Sequence, residues 1–304
     1  MAPPKATKQD KRLVRNSLQE VLRQVDALPN PTIGKMIPAL VRAQHELERD
    51  LRAWLAKEQG ANRFTAQRYR SALLGIRTAL ARVREIAPLA VDGMKESADL
   101  AGALAMEQLR TEAARYASVF EGTILPIDLD TASIYTDSNK ILFPRYDRYA
   151  QRYVGAVEKS IKQALILGRV RGESVFELTN RLEKELPRVF VKQSGWAYRL
   201  AQTESMNSYN TYAHEGLKQA LEDDEDMLMR WDASFDRRRC VICADLDGRV
   251  VQIEGKFTAN WAAAGKSRTM SVERPPIHPR CRCVLVPWNK RWEDLPGEEW
   301  PQRG

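Results

Sequence analysis

Met36, Leu40, Ala43, Leu47, Leu51 and Trp54 recur at spacings of three and four, the interval that returns a side chain to the same face of an α-helix. Tyr69, Leu73, Ile76, Leu80 and Val83 keep a strict four-three rhythm, so this region must fold as amphipathic helices that bury one stripe against another. Asn30 and Pro31 supply a cap and a first-turn proline, Gly60 ends the first helix, and Pro88 closes the second, which is expected to pack antiparallel on the first. Residues 97–120 are rich in Ala, Leu, Glu and Arg and read as a third helix. The stripes read as core rather than as a cofactor site.

Residues 121–145 contain Gly122, Pro126, Pro144 and a Ser/Thr/Asp cluster, and are read as a connector between domains. Helical spacing resumes with Tyr146, Tyr149, Tyr153, Val157 and Ile161 and ends at Gly168. Two further helices follow, GESVFELTNRLEKEL and the stretch through WAYRLAQTESMNSYNTYAHEGLKQAL, before the acidic run 222–226 closes the last as a solvated turn. Beyond it the pattern is β-rich: MLMRWDASF alternates like a strand, LDGRVVQI holds an Asp-Gly turn, and CRCVLVP is a short strand ended by proline. The fold class is therefore mainly α, an elongated helical bundle or set of helical hairpins followed by a small β-rich module. The expected division is 1–120 basic helical region, 121–145 connector, 146–226 second helical part, 227–290 Cys/His module and 291–304 tail.

Charge narrows the partners. The chain has 304 residues, a net charge of +8 and a mean hydropathy of -0.48. No run approaches the roughly 20 apolar residues of a membrane helix, and the start lacks the apolar stretch of a secretory signal. A soluble protein made in a cytoplasm is expected, with no membrane partner. Residues 1–120 hold 20 Lys/Arg against 13 Asp/Glu, so this half could meet nucleic acid such as packaged double-stranded DNA, or an acidic protein surface, or its cations could merely solvate helix faces. Any such contact would be nonspecific, since no sequence-reading motif accompanies the charge.

All four cysteines fall in two short stretches, Cys240-Val-Ile-Cys243 and His278-Pro-Arg-Cys281-Arg-Cys283. The first has the spacing of two thiolates that reach one tetrahedral ion, and the second offers three more donors. A β-rich module of about 60 residues with few apolar side chains (Trp231, Phe235, Val250, Val251, Ile253, Val284, Leu285) needs such a staple. Zinc held by four of Cys240, Cys243, His278, Cys281 and Cys283 is the leading reading. If 281–285 is a strand, Cys281 and Cys283 share a face, which favours the four thiolates, with His278 as a substitute ligand or a supporting partner. Arg237, Arg238, Arg239, Arg280 and Arg282 are near enough in sequence to moderate the thiolate charge. Two disulfides or four unpaired thiols are the competing readings.

Four protein ligands and no evident base make the site structural rather than catalytic. A zinc hydrolase could recruit Glu273 or Asp236 only by proximity in sequence. Lys266 and Ser267, in GKS, do not make a phosphate loop, because position 260 is Asn260 and no strand is expected to run into them. His45 and His214 read as surface or packed residues, and Glu204 as a lone surface carboxylate.

Taken in order, Thr203 and Glu204, Trp231 and Asp236, Cys240 and Cys243, Leu246 and Gly248, then Pro276, His278, Pro279, Cys281, Arg282 and Cys283 resemble the phage head morphogenesis family, the Mu F and SPP1 gp7-like minor head proteins. The resemblance covers roughly residues 145–290. Family members commonly carry an arginine before the Thr-Glu pair, where this chain has Gln202. It implies a non-enzymatic minor capsid protein of a tailed phage, in several copies inside the head near the portal. There it would contact portal or major capsid protein and act in head assembly or in DNA packaging and ejection.

Overall fold

A computed structural model describes residues 24–58, 65–119, 129–223, 226–233, 239–263 and 266–289. The elements run α1 Asn30–Lys57, α2 Ala66–Gly75, α3 Arg77–Arg84, α4 Ile86–Val119, α5 Thr131–Val170, α6 Val175–Asp223, β1 Met227–Asp232, α7 Val241–Leu246, β2 Val250–Gln252, β3 Phe257–Ala263, β4 Lys266–Val272 and β5 Val284–Asn289. Mainly helical with a small β-rich end is the observed class. The chain divides into two compact units that do not follow its linear order. An all-helical unit combines Asn30–Glu96 with Phe143–Ala201, and a mixed unit is built from Ser97–Leu142 and the described residues from Gln202 onward.

In the all-helical unit, every member of the first stripe from Met36 to Trp54 is buried, and α1 packs against α2 and α3. The second stripe breaks where one helix was expected. Ile76 leaves helical geometry at φ -97 and ψ 13, and its N–H turns back to Ala72 O. Trp54 lies against this break, with a Cβ added at Gly75 only 3.3 Å from Trp54 Cβ and the indole donating to Ser71 Oγ at 3.0 Å. Pro88 ends nothing, for it lies in the first turn of α4, where a missing N–H costs little.

Gly93 passes so close to α1 that an added Cβ would sit 2.6 Å from Thr32 Cα. Gly93→Ala gains about 1 kcal/mol of helix propensity but forces two backbones apart, an overpacking cost of about 1 to 3 kcal/mol. A net lowering of the urea midpoint is expected; a midpoint at or above that of the parent would show that the two helices have room to spare.

Two connections expected from the sequence, one of them from proline, are helix interior. Residues 131–145 belong to α5, not to a connector, and Pro144 lies inside the helix. Asp130 caps its start, accepting from the N–H groups of Ala132 (3.1 Å) and Ser133 (3.2 Å). The buried stripe Ile134, Ser138, Leu142, Tyr146, Ala150, Tyr153, Val157, Ile161 runs straight through the proline, and its packing outweighs the cost of about 3 kcal/mol of such a residue. Likewise the two helices expected after Gly168 are one, α6, with Pro187 inside it. Residues 121–128 lie outside the described residues.

The α5–α6 turn uses Gly172 at φ 65 and a capping box in which Ser174 Oγ accepts from Glu177 N at 3.2 Å while Glu177 accepts from Ser174 N at 2.8 Å. These hydrogen bonds hold the Glu177 carboxyl below its ordinary range. Arg181 locks the hairpin, reaching Glu173, Glu185 and Ala164 O.

The mixed unit is organised around the last turns of α6, where every residue from Glu204 to His214 is buried. Gly216 lies against the side-chain ends of Leu109 and Met106 from α4, and Tyr212 stacks on Tyr135 (centroids 4.9 Å) while donating to Asn139 at 2.8 Å. The strands form an antiparallel sheet in the order β2-β1-β5 and a separate hairpin β3–β4. Pro287 lies within β5, opposite Met229, rather than ending the strand.

Candidate metal centre

The helix α7 is one and a half turns long, and Cys240 caps it. The Cys240 sulfur accepts from Cys243 N at 3.4 Å, which brings both cysteines of the CxxC to one end of the helix. Gly248, at φ 80, then reverses the chain so that its N–H meets Trp231 O at 2.8 Å and Trp231 N meets Arg249 O at 2.9 Å. Trp231 is fully buried and packs edge-on against Phe257 at 5.2 Å. This is how the Trp, the CxxC, Leu246 and Gly248 form one unit: the buried strand β1 holds the turn that aims the thiols.

Arg239 and Asp247 close the same corner. Asp247 accepts from Ala233 N at 3.0 Å and from the Arg239 guanidinium at 2.9 Å, so Arg239 is engaged by a carboxylate and not by sulfur. Arg249 bridges Asp245 (2.8 Å) and Thr258 O, tying α7 to β3.

The second set of donors comes from a tight turn. Cys281 N donates to His278 O at 3.1 Å, Arg280 sits at φ 62, and Arg280 N donates to Thr203 Oγ1 at 3.1 Å. Holding a non-glycine residue left-handed costs about 1 kcal/mol or more, and the hydroxyl of α6 helps to fix that conformation. Thr203→Val keeps the shape and removes the acceptor; a loss of about 1 kcal/mol is expected, read as faster hydrogen exchange at Arg280, and unchanged exchange there would refute the assignment.

Cys281 and Cys283 are not on a strand, since β5 begins at Val284. They reach the cluster because Asn210, buried in α6, grips this segment from both sides, donating to Cys283 O at 3.1 Å and accepting from Leu285 N at 2.7 Å.

The donors assemble into two groups that share Cys243. One is Cys240, Cys243 and His278; the other is Cys243, Cys281 and Cys283, and each has its ligand atoms within 4.8 Å of one another. His278 Nε2 lies 3.1 Å from the sulfurs of both Cys240 and Cys243, and Cys243 Sγ lies 3.8 Å from Cys281 Sγ. Two thiolates on a tetrahedral ion with bonds of about 2.3 Å stand about 3.8 Å apart, whereas a disulfide needs about 2.05 Å. All four cysteines are free of disulfides.

His278 Nδ1 lies 2.8 Å from Pro279 O. A carbonyl can only accept, so Nδ1 carries a proton, and in the neutral ring Nε2 is then the nitrogen that can serve as a metal ligand toward the sulfurs. Hydrogen bonds from Cys243 and then Cys283 hold the Cys281 thiol well below its ordinary range, while donation to Cys281 and burial push Cys243 up. Soft sulfur and imidazole donors in this arrangement fit a zinc-like ion.

The remaining residues fall as follows. Glu204, expected on the surface, is 3% exposed, because the helix that carries it is covered on all sides. Pro279 is exposed and contributes its carbonyl to His278; Arg282 is half-buried; Asp236, Arg237 and Arg238 lie outside the described residues. Glu273 is exposed and faces Arg274 at 3.6 Å, and the donor groups found among the described residues include no carboxylate. A strand does run into the GKS stretch, namely β3, but Lys266 and Ser267 open a second strand instead of the helix a phosphate loop needs. His45 is exposed, and His214 is buried with Nε2 2.9 Å from Ile253 O.

Asn210, Asp247 and the Thr203–Arg280 contact escaped the sequence reading. The one visible signal for Asn210 is MNSYNTYAH, a helical stretch with polar residues on every face, while Asp247 shows only as part of the Asp-Gly turn. Such a helix bridges partners instead of lying on a surface.

Fold and site together define a helical protein with a thiolate and imidazole clamp at its β-rich end. Residues 158–286 match the family of phage Mu protein F like proteins, which supports the phage head morphogenesis family for this part of the chain. The chain is also 23% identical, over 142 residues, to an NAD(+)–arginine ADP-ribosyltransferase EFV of Enterococcus faecalis; the match takes in 47% of this chain and 28% of that protein. It thus spans little more than a quarter of the curated relative. No solved structure matches the chain. Among the described residues no helix is long and apolar enough to cross a membrane.

Proposed function

We propose that this chain is a non-enzymatic minor structural protein of a tailed-phage head, carried in the virion in several copies near the portal, where it serves head assembly or the passage of DNA. The family match to residues 158–286 carries the head-protein reading, and the donor cluster inside that segment carries the structural one. The clamp brings together residues 240–243 and 278–283, and Asn210 and Thr203 fasten the second of these to a buried helix. A module held in this way is suited to rigid docking on portal or capsid protein.

Zinc is the proposed ion, bound by four of Cys240, Cys243, His278, Cys281 and Cys283. When bound it would supply a covalent-like staple between two loops and no reaction step. The transferase activity named for the Enterococcus protein is not carried over, since this chain corresponds to 28% of that enzyme.

The test is to quantify the chain in purified particles freed of unpackaged protein and to locate its density in an intact head. A few copies per particle at the portal vertex are expected. Absence from particles would overturn the head-protein reading, and a uniform distribution over the shell would overturn the portal placement alone.

A further inference from the structure

The positive charge of the chain belongs to one compact unit. Residues 30–96 and 143–201 contain 24 Lys/Arg and 13 Asp/Glu, net +11, while the remainder contains 24 and 27, net -3. Charge is thus concentrated in the all-helical unit and not in the N-terminal 120 residues as a block; the stretch 97–142 is itself acidic, with 3 Lys/Arg and 7 Asp/Glu.

Folding sharpens the asymmetry. Among the described residues of this unit, 18 Lys/Arg are exposed against 6 Asp/Glu. Several of its carboxylates are half-buried and committed to internal pairs, Glu158 with Arg84 and Lys162, Glu173 and Glu185 with Arg181, and Glu58 with Arg68. The clearest outcome is on α6, where residues 186–203 include no acidic residue. Arg188 and Lys192 are exposed within this stretch, and Lys184, just before it between Glu183 and Glu185, continues them at the same interval of four, about 6 Å apart along the helix axis. Val191 and Tyr198, 73% and 48% exposed, lie on the same face. An ordinary solvated surface intersperses both signs of charge.

We propose that this face of α6 is a binding surface for the phosphate backbone of duplex DNA. A duplex offers one negative charge per about 1.7 Å of axis over any length, so a row of cations can engage it without register or sequence preference. The Tyr198 hydroxyl adds a donor of the kind that reaches phosphate oxygens. The inference depends neither on zinc nor on the portal location, and its failure would leave the head-protein reading intact.

The experiment titrates the full chain against a short labelled duplex at a series of salt concentrations. The parent is expected to bind with a steep salt dependence, and K184Q/R188Q/K192Q to flatten the slope of log affinity against log salt by about 3, roughly one for each phosphate that is no longer neutralised. The charge-conserving K184R/K192R should keep the parent slope, as should K256Q/R268Q, which removes exposed cations from the mixed unit. Unchanged helical ellipticity, expected because the altered side chains are all exposed, assigns the weaker binding to charge. The proposal is overturned if the triple variant retains the parent slope, if parent affinity is indifferent to salt, or if polyglutamate of equal charge competes as well as DNA, which would point to an acidic protein partner.

Discussion

Cys243→Ser is expected to leave the purified chain almost free of zinc where the parent carries about one equivalent, and to cost roughly 3 to 5 kcal/mol of stability, the scale of losing a structural metal. Cys243 is singled out because it is the one donor common to both groups, 3.1 Å from His278 Nε2 on one side and 3.8 Å from Cys281 Sγ on the other. Cys240→Ser and Cys283→Ser each touch one group and should retain more metal. Their relative losses identify the four ligands: a chain that keeps its zinc without Cys283 uses His278, and one that keeps it without His278 uses four thiolates. Chelation of the parent should reproduce the melting curve of Cys243→Ser, and chelator should do nothing further to the variant. One equivalent of zinc in Cys243→Ser with an unchanged melt would end the structural-zinc reading.

Asn210→Ala should be nearly as damaging although Asn210 touches no metal ligand side chain. It satisfies Leu285 N–H at 2.7 Å and Cys283 C=O at 3.1 Å from a position with no solvent access, and it anchors back to Met206 O at 2.8 Å. Truncation leaves a buried donor and a buried acceptor unpaired at about 1 to 3 kcal/mol each, and it removes the grip that places Cys281 and Cys283. A loss of about 3 kcal/mol or more is expected, with amide exchange at Leu285 accelerated and zinc affinity lowered together. Full protection at Leu285 in the variant would show that water or a shifted side chain replaces the amide. Asn210→Asp is expected to be only a partial rescue, since a carboxylate accepts from Leu285 but repels the Cys283 carbonyl.

The parts of this fold legible in the sequence are those set by period and scarcity. The stripe from Met36 to Trp54 is buried as read, and four cysteines in two short runs gather into one cluster. The errors come from punctuation that long-range packing overrides. Pro144 and Pro187 look like stops but lie inside α5 and α6, because a continuous buried stripe on each helix outweighs a local break. The break at Ile76 follows directly on Gly75, where Trp54 packs against the chain, in the middle of an unbroken apolar period. The hairpin β3–β4 was missed because much of it is polar, paired through Thr258–Ser271 and Asn260–Thr269 at 2.8 Å each. Glu204 illustrates the deepest limit: one-sided burial leaves a period in the sequence, whereas burial on all sides leaves none.

The interleaving of the two units bears on how the chain is made. Residues 30–96 can pack α1 on α2 and α3 early but complete their unit only after 143–201 have been synthesised, and 97–142 must wait for 202 onward. Neither unit can therefore finish folding on the ribosome as an early N-terminal block, and the long-range contacts form last and slowly. Cuts near residue 120 or 145, which a linear map of domains invites, would sever both bodies at once. A fragment matching the all-helical unit is an internally deleted one, in which 30–96 and 143–201 are joined directly.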